Sequence, residues 1–346
     1  MTDQPRLYDL DFSEIEALLA DWGEPSYRAK QVWEWLYRHQ ATSFAEMSNL
    51  SLGLRERLAE AFGIGVPEVV ATQLSPDGLT RKDLLRFRDG ETVEVVLMAY
   101  ERRHTVCIST QVGCAVGCTF CATGQAGFCR DLSAGEIVAQ VLHAARVFSA
   151  QGDRLTNVVL MGMGEPLLNY DASLAAIRRL IDPRGLNLGQ RHITLSTVGV
   201  APGILRLAEE ELQITLAISL HAATDPLRDE IVPMNRRYPL DEVFAACYQY
   251  FSRTGRRISF EWALIDGLND SVRQAKALAA RLIGFEAHVN LIPLNPSPGY
   301  DGRPASPEAI EAFTAVLDQR GIPHTIRLRR GIEIQAGCGQ LRHSVK

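Results

Sequence analysis

The sequence predicts an α/β protein: a partial (β/α)6 barrel preceded by a small helical domain. Three observations lead there. Beyond Thr105, six apolar, strand-like runs alternate with helical segments, the signature of a parallel sheet. Polar residues recur at the carboxyl end of run after run, where barrels place their chemistry. Residues 66–104 follow period two instead, which sets 1–65 apart as a separate helical unit. The expected organisation is a helical accessory domain over 1–65, a β-hairpin extension over 66–104, and the barrel with a C-terminal tail over 105–346.

Composition fits this plan and narrows the function. A chain of 346 residues has room for one large domain and a small one. Seven cysteines, an odd number and clustered, do not make a secreted disulfide framework. The N-terminus lacks an apolar signal region, and no run approaches the roughly 18 apolar residues of a membrane span. The expectation is a cytoplasmic protein without membrane contact. A net charge of −5 argues against indiscriminate nucleic-acid binding. Yet residues 1–65 carry 6 Lys+Arg against 11 Asp+Glu, while the rest balances at 30 against 30. Residues 320–346 are basic: Arg320, Arg327, Arg329, Arg330, Arg342 and Lys346 stand against Glu333 alone. Such an end can meet phosphates, though charge alone favours a solvated face.

Each element has its own signal. Asp11-Phe12-Ser13-Glu14-Ile15 opens a first helix, broken by Gly23-Glu24-Pro25. A second runs from Tyr27 to Tyr37, with Trp33, Trp35 and Tyr37 read as the core of a small bundle. Arg28, Lys30 and Arg38 remain as candidate phosphate contacts. A third spans Leu52 to Phe62 and ends near Gly63 and Gly65. Residues 80–88 and 91–98, joined at Asp89-Gly90, form a hairpin. On pattern alone Glu94, among apolar neighbours, falls on the solvent face of an edge strand. The barrel strands are expected at 105–110, 157–161, 192–196, 215–220, 257–265 and 287–293, with a final basic strand at 324–330. Ser133 and Glu136 make a capping box for the first barrel helix. Pro307 and Gly321 bracket the last.

The densest chemistry follows the first barrel strand. Cys114, Cys118 and Cys121 are spaced C-x3-C-x2-C, with Cys107 seven residues before. Three such thiolates can each bind one iron of a cubane, leaving the fourth iron open, whereas an electron-transfer cluster takes four cysteines. A zinc knuckle is the competing reading; it needs a fourth ligand, and Cys129 is a candidate. The second strand runs into Gly162-Met163-Gly164-Glu165-Pro166, a turn that also lets a ligand approach the backbone. The third ends at Ser196-Thr197, the fourth at Ser219-Leu220-His221 and the sixth at Pro293-Leu294-Asn295. Near the C-terminus Cys338 sits between Gly337 and Gly339, able to carry a thiol into a cleft. No member decides alone; the combination does.

The cysteine spacing resembles that of radical S-adenosylmethionine (SAM) enzymes. With Tyr27-Arg28-Ala29-Lys30-Gln31, Gly267-Leu268-Asn269-Asp270 and Ala336-Gly337-Cys338-Gly339-Gln340-Leu341, nearly the whole chain resembles the radical-SAM RNA adenine methyltransferases. The resemblance implies a 4Fe-4S cluster on Cys114, Cys118 and Cys121. It implies a SAM site lined by Gly164, Glu165, Ser196, Ser219, Leu220, His221 and Asn295, with two SAM consumed per turnover. Cys338 would carry the methyl group, Cys107 would resolve the intermediate into a transient disulfide, and Glu94 would take the ring proton, which overrides the solvent-face reading. The implied substrate is carbon 2 of an adenine in 23S rRNA and tRNA. An electron donor such as flavodoxin or ferredoxin and a monomeric enzyme are implied too. Carbon 8 of adenine, or a radical-SAM reaction on a non-RNA substrate, stays open as an alternative. Relative to the family, Glu333 replaces an aspartate and Gly337 an alanine, so a more mobile tail is expected. Cys247 reads as core, and Cys129 has no assignment.

Overall fold

The computed structural model describes residues 4–284, 286–327 and 330–341. Helix α1 (Phe12–Asp21) is opened by a reciprocal cap, the Asp11 carboxylate accepting from the Glu14 amide and Glu14 from the Asp11 amide. With α2 (Tyr27–Tyr37) and α3 (Leu52–Ala61) it forms the expected bundle. Trp33 and Tyr37 are buried and lie 4.2 Å apart, centroid to centroid. Trp35 is not on that side. It lies on the flank, with its indole donating to Asn49 Oδ1.

The sheet starts earlier than the sequence suggests. Strand β1 (Glu68–Leu74) pairs antiparallel with β2 (Thr80–Arg86), which pairs with β3 (Thr92–Tyr100). β3 then pairs antiparallel with β4 (Arg103–Cys107), so the extension is continuous with the barrel sheet. All seven residues of β1 are exposed, so Glu68–Leu74 itself shows no apolar alternation inside a region that otherwise follows period two. A short ribbon, β5 (Gln111–Gly113) and β6 (Phe128–Asp131), brackets the cysteine loop and helix α4 (Ala122–Ala126).

Strands and helices then alternate. Helix α5 (Ala134–Ala150) has the Ser133–Glu136 capping box. It is followed by β7 (Asn157–Leu160), α6 (Tyr170–Ile181), β8 (Ile193–Thr197), α7 (Ala201–Ala208) and β9 (Thr215–Ser219). Next come α8 (Asp225–Ile231), α9 (Leu240–Thr254), β10 (Ile258–Leu264), α10 (Val272–Arg281), β11 (Ala287–Pro293), α11 (Pro307–Gln319) and β12 (His324–Ile326). The sheet order is β1-β2-β3-β4-β7-β8-β9-β10-β11-β12, parallel from β4 onward. Every residue of β10 is buried, as a parallel strand covered on both faces requires. The expected strand 324–330 ends at Ile326; Leu328 and Arg329, like Arg342 and Lys346, lie outside the described residues. Arg179 on α6 clamps the accessory domain to the barrel by donating to the Tyr8 and Asp9 carbonyls.

Candidate active site

Two loops are zipped together at the carboxyl end of the sheet. The Gly162 amide donates to Ile108 O, the Thr110 and Gln111 amides to Met163 O, and the Glu165 amide to Gln111 Oε1. This closeness explains the glycines. A Cβ on Gly162 would stand 2.7 Å from Ile108 O, and one on Gly164, whose φ is +101°, 2.6 Å from Gln111 Cβ. The cysteine loop is thereby held against the end of β7.

Cys114, Cys118 and Cys121 line one cavity with Gly164, Glu165, Ser196, Ser219, His221 and Asn295. Burial pushes the Cys114 thiol up to about 12 and Cys118 well above its usual range, so losing their protons requires a cationic partner. Among the described residues no three His, Cys, Asp or Glu side chains converge on one single-ion position. Three thiols of one short loop lining one cavity can each take one iron of a cubane. Cys129 is exposed on β6 and does not line this cavity. Cys247 is buried on α9, a core residue.

The strand ends supply polar groups in fixed orientations. Glu165 is buried, and burial raises it to about 7; its oxygens accept from the Leu167 and Val198 amides. The hydroxyls of Ser196 and Ser219 lie 3.1 Å apart across β8 and β9. His221, at φ +61°, accepts from the Ala263 amide through Nδ1, so its proton sits on Nε2. Burial, then the Arg228 charge, lowers its imidazole to about 3. Leu220 is buried, and its amide donates to Glu261 O across the strands. Asn295 donates to Cys338 O, while its Oδ1 is buried with no partner. An orphaned acceptor in a cavity lined by hydroxyls and a carboxylate fits a ligand bearing an ammonium and ribose hydroxyls, as SAM does.

The tail brings Cys338 to the same place. The Ala122 amide donates to Gly339 O, Gln340 Nε2 to Pro296 O, and Thr123 Oγ1 to Leu341 O. Gly337 is close-packed, not slack: a Cβ there would stand 2.6 Å from Asn295 Nδ2. Cys338 is deep in the molecule yet carries open surface, because it faces cavity and not packed atoms. It lines both the cavity above and a second one beneath, which Cys107 also lines. Burial first, and then the neighbouring Cys338, raises the Cys107 thiol.

Glu94 stands apart. It is neither on a solvent face nor in the cavity of Cys338: it is buried and ion-paired to Lys82 at 2.8 Å, under tail residues 333–335. Lys82 also donates to Gln335 O, so the pair and the tail share one anchor.

Two buried charges escaped the sequence. Arg228 on α8 is 1% exposed and donates to the carbonyls of Val198, Ser219 and Leu220 and to Asn235 Oδ1, tying the ends of β8 and β9 together. Glu261 on β10 accepts from Ser259 Oγ and Asn290 Nδ2 and lines both cavities. Neither sits in a recognisable motif; Glu261 stands out only as a charge inside the apolar run of β10, and Arg228 is hidden among Asp225, Asp229 and Glu230.

Comparison with known proteins points the same way. Residues 6–64 match the ribosomal RNA large subunit methyltransferase N-terminal domain, and residues 108–279 the radical SAM superfamily. The dual-specificity RNA methyltransferase RlmN 1 of Myxococcus xanthus (strain DK1622) is 53% identical, covering 98% of this chain and 95% of its own. A probable dual-specificity RNA methyltransferase RlmN of Chloroflexus aurantiacus (strain ATCC 29366 / DSM 635 / J-10-fl) is 49% identical over 99% of this chain and 94% of its own. The crystal structure of a radical SAM methyltransferase from Sphaerobacter thermophilus superposes with a TM-score of 0.95, at 50% identity over 98% of this chain and 99% of that one.

Proposed function

Because the chain belongs to the dual-specificity RNA methyltransferases of the radical SAM superfamily, we propose that Cys338 carries the carbon it delivers to carbon 2 of adenine. The protein is a SAM-dependent RNA methyltransferase with a 4Fe-4S cluster, acting on adenine carbon 2. Our reading adds that 23S rRNA and tRNA are both substrates, that two SAM are used per methyl transferred, and that a flavodoxin or ferredoxin feeds electrons to a monomeric, cytoplasmic enzyme. Among the described residues no helix is long and apolar enough to cross a membrane.

Cys114, Cys118 and Cys121 hold the cluster; when loaded, cluster and SAM together supply a 5′-deoxyadenosyl radical. The residues do the rest. Glu165, Ser196, Ser219, His221 and Asn295 orient SAM, with the His221 Nε2–H as a donor and Asn295 Oδ1 as an acceptor. Gly164 forms part of the wall, while Leu220, buried and outside the cavity lining, fixes the strand end between Ser219 and His221. Cys338 takes a methyl group and presents its carbon to a ring position too electron-poor to act as a nucleophile. Glu94 takes the ring proton, which requires the strap of residues 333–335 above it to lift. The Cys107 thiolate then attacks the sulfur of Cys338: the disulfide forms, the sulfur–carbon bond breaks with its electron pair going to the carbon, and a proton from solvent completes the methyl group on the departing base.

One observation carries this reading: Cys338 lines the cavity of the three cluster cysteines and also that of Cys107. The test is mass spectrometry of RNA incubated with reconstituted enzyme. Wild type should add one methyl group at adenine carbon 2, and Cys338→Ala none. Methylation that survives in Cys338→Ala refutes the carrier, and a methyl group at carbon 8 refutes the position.

A further inference from the structure

The carrier has to meet SAM on one side and the adenine on the other. Cys338 lies between two cavities, and they differ in character. The upper one is walled by the cluster cysteines and the SAM residues. The lower one, about 530 Å³, falls within the ~300–1,000 Å³ of ordinary ligand sites. It is lined near its floor by Asn157, Thr194, Thr215, Ser259 and Asn290, from the amino-terminal halves of the strands. Its charged lining is Arg103, Arg257 and Arg327 against Glu261 alone, and all three arginines are exposed, so this end opens to solvent.

The rim carries a second, independent feature. Tyr100, at the end of β3, lines the lower cavity, and two guanidiniums lie over its ring: Arg103 at 4.3 Å and Arg330 at 4.6 Å from the centroid. Arg330 is fixed there by donating to Ala99 O. Arg103, Arg257, Arg327 and Arg330 form no ion pair among the described residues, unlike Arg130 or Arg184. Unpaired guanidiniums stacked on an aromatic ring suit a single-stranded RNA, where planar cations meet phosphates and unstacked bases. The accessory domain is a poorer candidate. Its balance is −5, and Arg28 and Arg38 lie within ion-pair distance of Glu24 and Glu34.

We propose that RNA enters by this amino-terminal mouth of the barrel: Tyr100, Arg103, Arg257 and Arg330 hold the nucleotides flanking the target, and the flipped adenine rises through the lower cavity to Cys338. This rests on the RNA methyltransferase reading above and adds the route and its contacts. It places the ring on the side of Cys338 away from SAM, as a carrier mechanism needs. It also puts Cys107 beside the base, where the link between RNA and protein must be broken.

The test uses cluster-loaded enzyme and an unmodified tRNA transcript. In Arg103→Gln/Arg257→Gln and in Tyr100→Leu, KM for RNA should rise about tenfold with kcat nearly unchanged. The double arginine variant should also flatten the salt dependence of RNA affinity by about two phosphate contacts. Methylation of Cys338 by SAM without RNA, read as a mass shift of its peptide, should stay at the wild-type level in both. Unchanged RNA affinity and salt slope overturn the route, as does a larger loss in Lys30→Glu/Arg38→Glu. Wild-type enzyme that leaves every adenine unmethylated overturns the underlying function instead.

Discussion

At the scale of single residues, the site is built from groups whose protonation and direction are set by burial. His221 shows how far this goes. Its ring is buried, edge-on to Phe120 of the cysteine loop, and its Nδ1 is committed to the Ala263 amide. The folded chain therefore disfavours the imidazolium, with the group near 3 against an ordinary 6.5. The sign follows: a depressed base gives its full stabilisation above pH 6.5 and loses it as pH falls toward 3. His221→Asn offers an acceptor for the same amide and tolerates the left-handed backbone. Between pH 6.5 and 4 the variant should lose less of its urea-denaturation midpoint than wild type; parallel losses would mean His221 is not the titrating group. For the same reason SAM affinity should show no step attributable to His221 near 6.5.

At the scale of elements, the tail is the informative piece. A glycine pair around Cys338 reads as flexibility in sequence, but the fold uses it for closeness. The carbonyls of Cys338 and Gly339 are both bound, and Gln340 spans from the Gly337 amide to Pro296 O. Gly337→Val would put a branched Cβ 2.6 Å from Asn295 Nδ2 and 2.8 Å from Gln340 Oε1, more bulk than the alanine the family carries there, displacing the tail or breaking the Asn295 contact. Methylation of Cys338 by SAM should slow on the order of tenfold, equivalent to ~1.4 kcal/mol of transition-state alignment. The melting temperature should barely move, because the segment is peripheral to the main core. A rate equal to wild type would show that the observed docking is not the reactive one. Local spacing therefore made the cysteines legible, whereas what they touch depends on neighbours far away in the chain. The Lys82–Glu94 pair comes from the register of β2 against β3, and Arg228 acts through carbonyls of two different strands. No one-dimensional pattern carries such information. Strand β1 was missed for the opposite reason: with every residue exposed, neither face needed an apolar stripe.

At the scale of the molecule, the cluster loop and the tail brace one another although some 220 residues separate them. Thr123 Oγ1 donates to Leu341 O and the Ala122 amide to Gly339 O, while Ser297 Oγ, from the segment after β11, donates to Phe120 O. Val116, Phe120 and Ala122 anchor the loop by burial, and whatever binds the three thiols adds to that hold. A metal that holds those thiols should then stabilise the tail, because groups binding only the folded arrangement stabilise all that is coupled to it. Cys118→Ala removes one of the three thiols proposed to hold the cluster without touching any tail contact. In that variant, trypsin should cut more rapidly at Arg327 and Arg330, while cleavage at Arg38 and Arg55 of the accessory domain stays at the wild-type rate. Chelating the iron from wild type should reproduce the same cleavage pattern, and restoring iron and sulfide should reverse it there but not in Cys118→Ala. If tail protection is indifferent to the cluster in both experiments, loop and tail order independently, and the carrier thiol is positioned by the barrel alone.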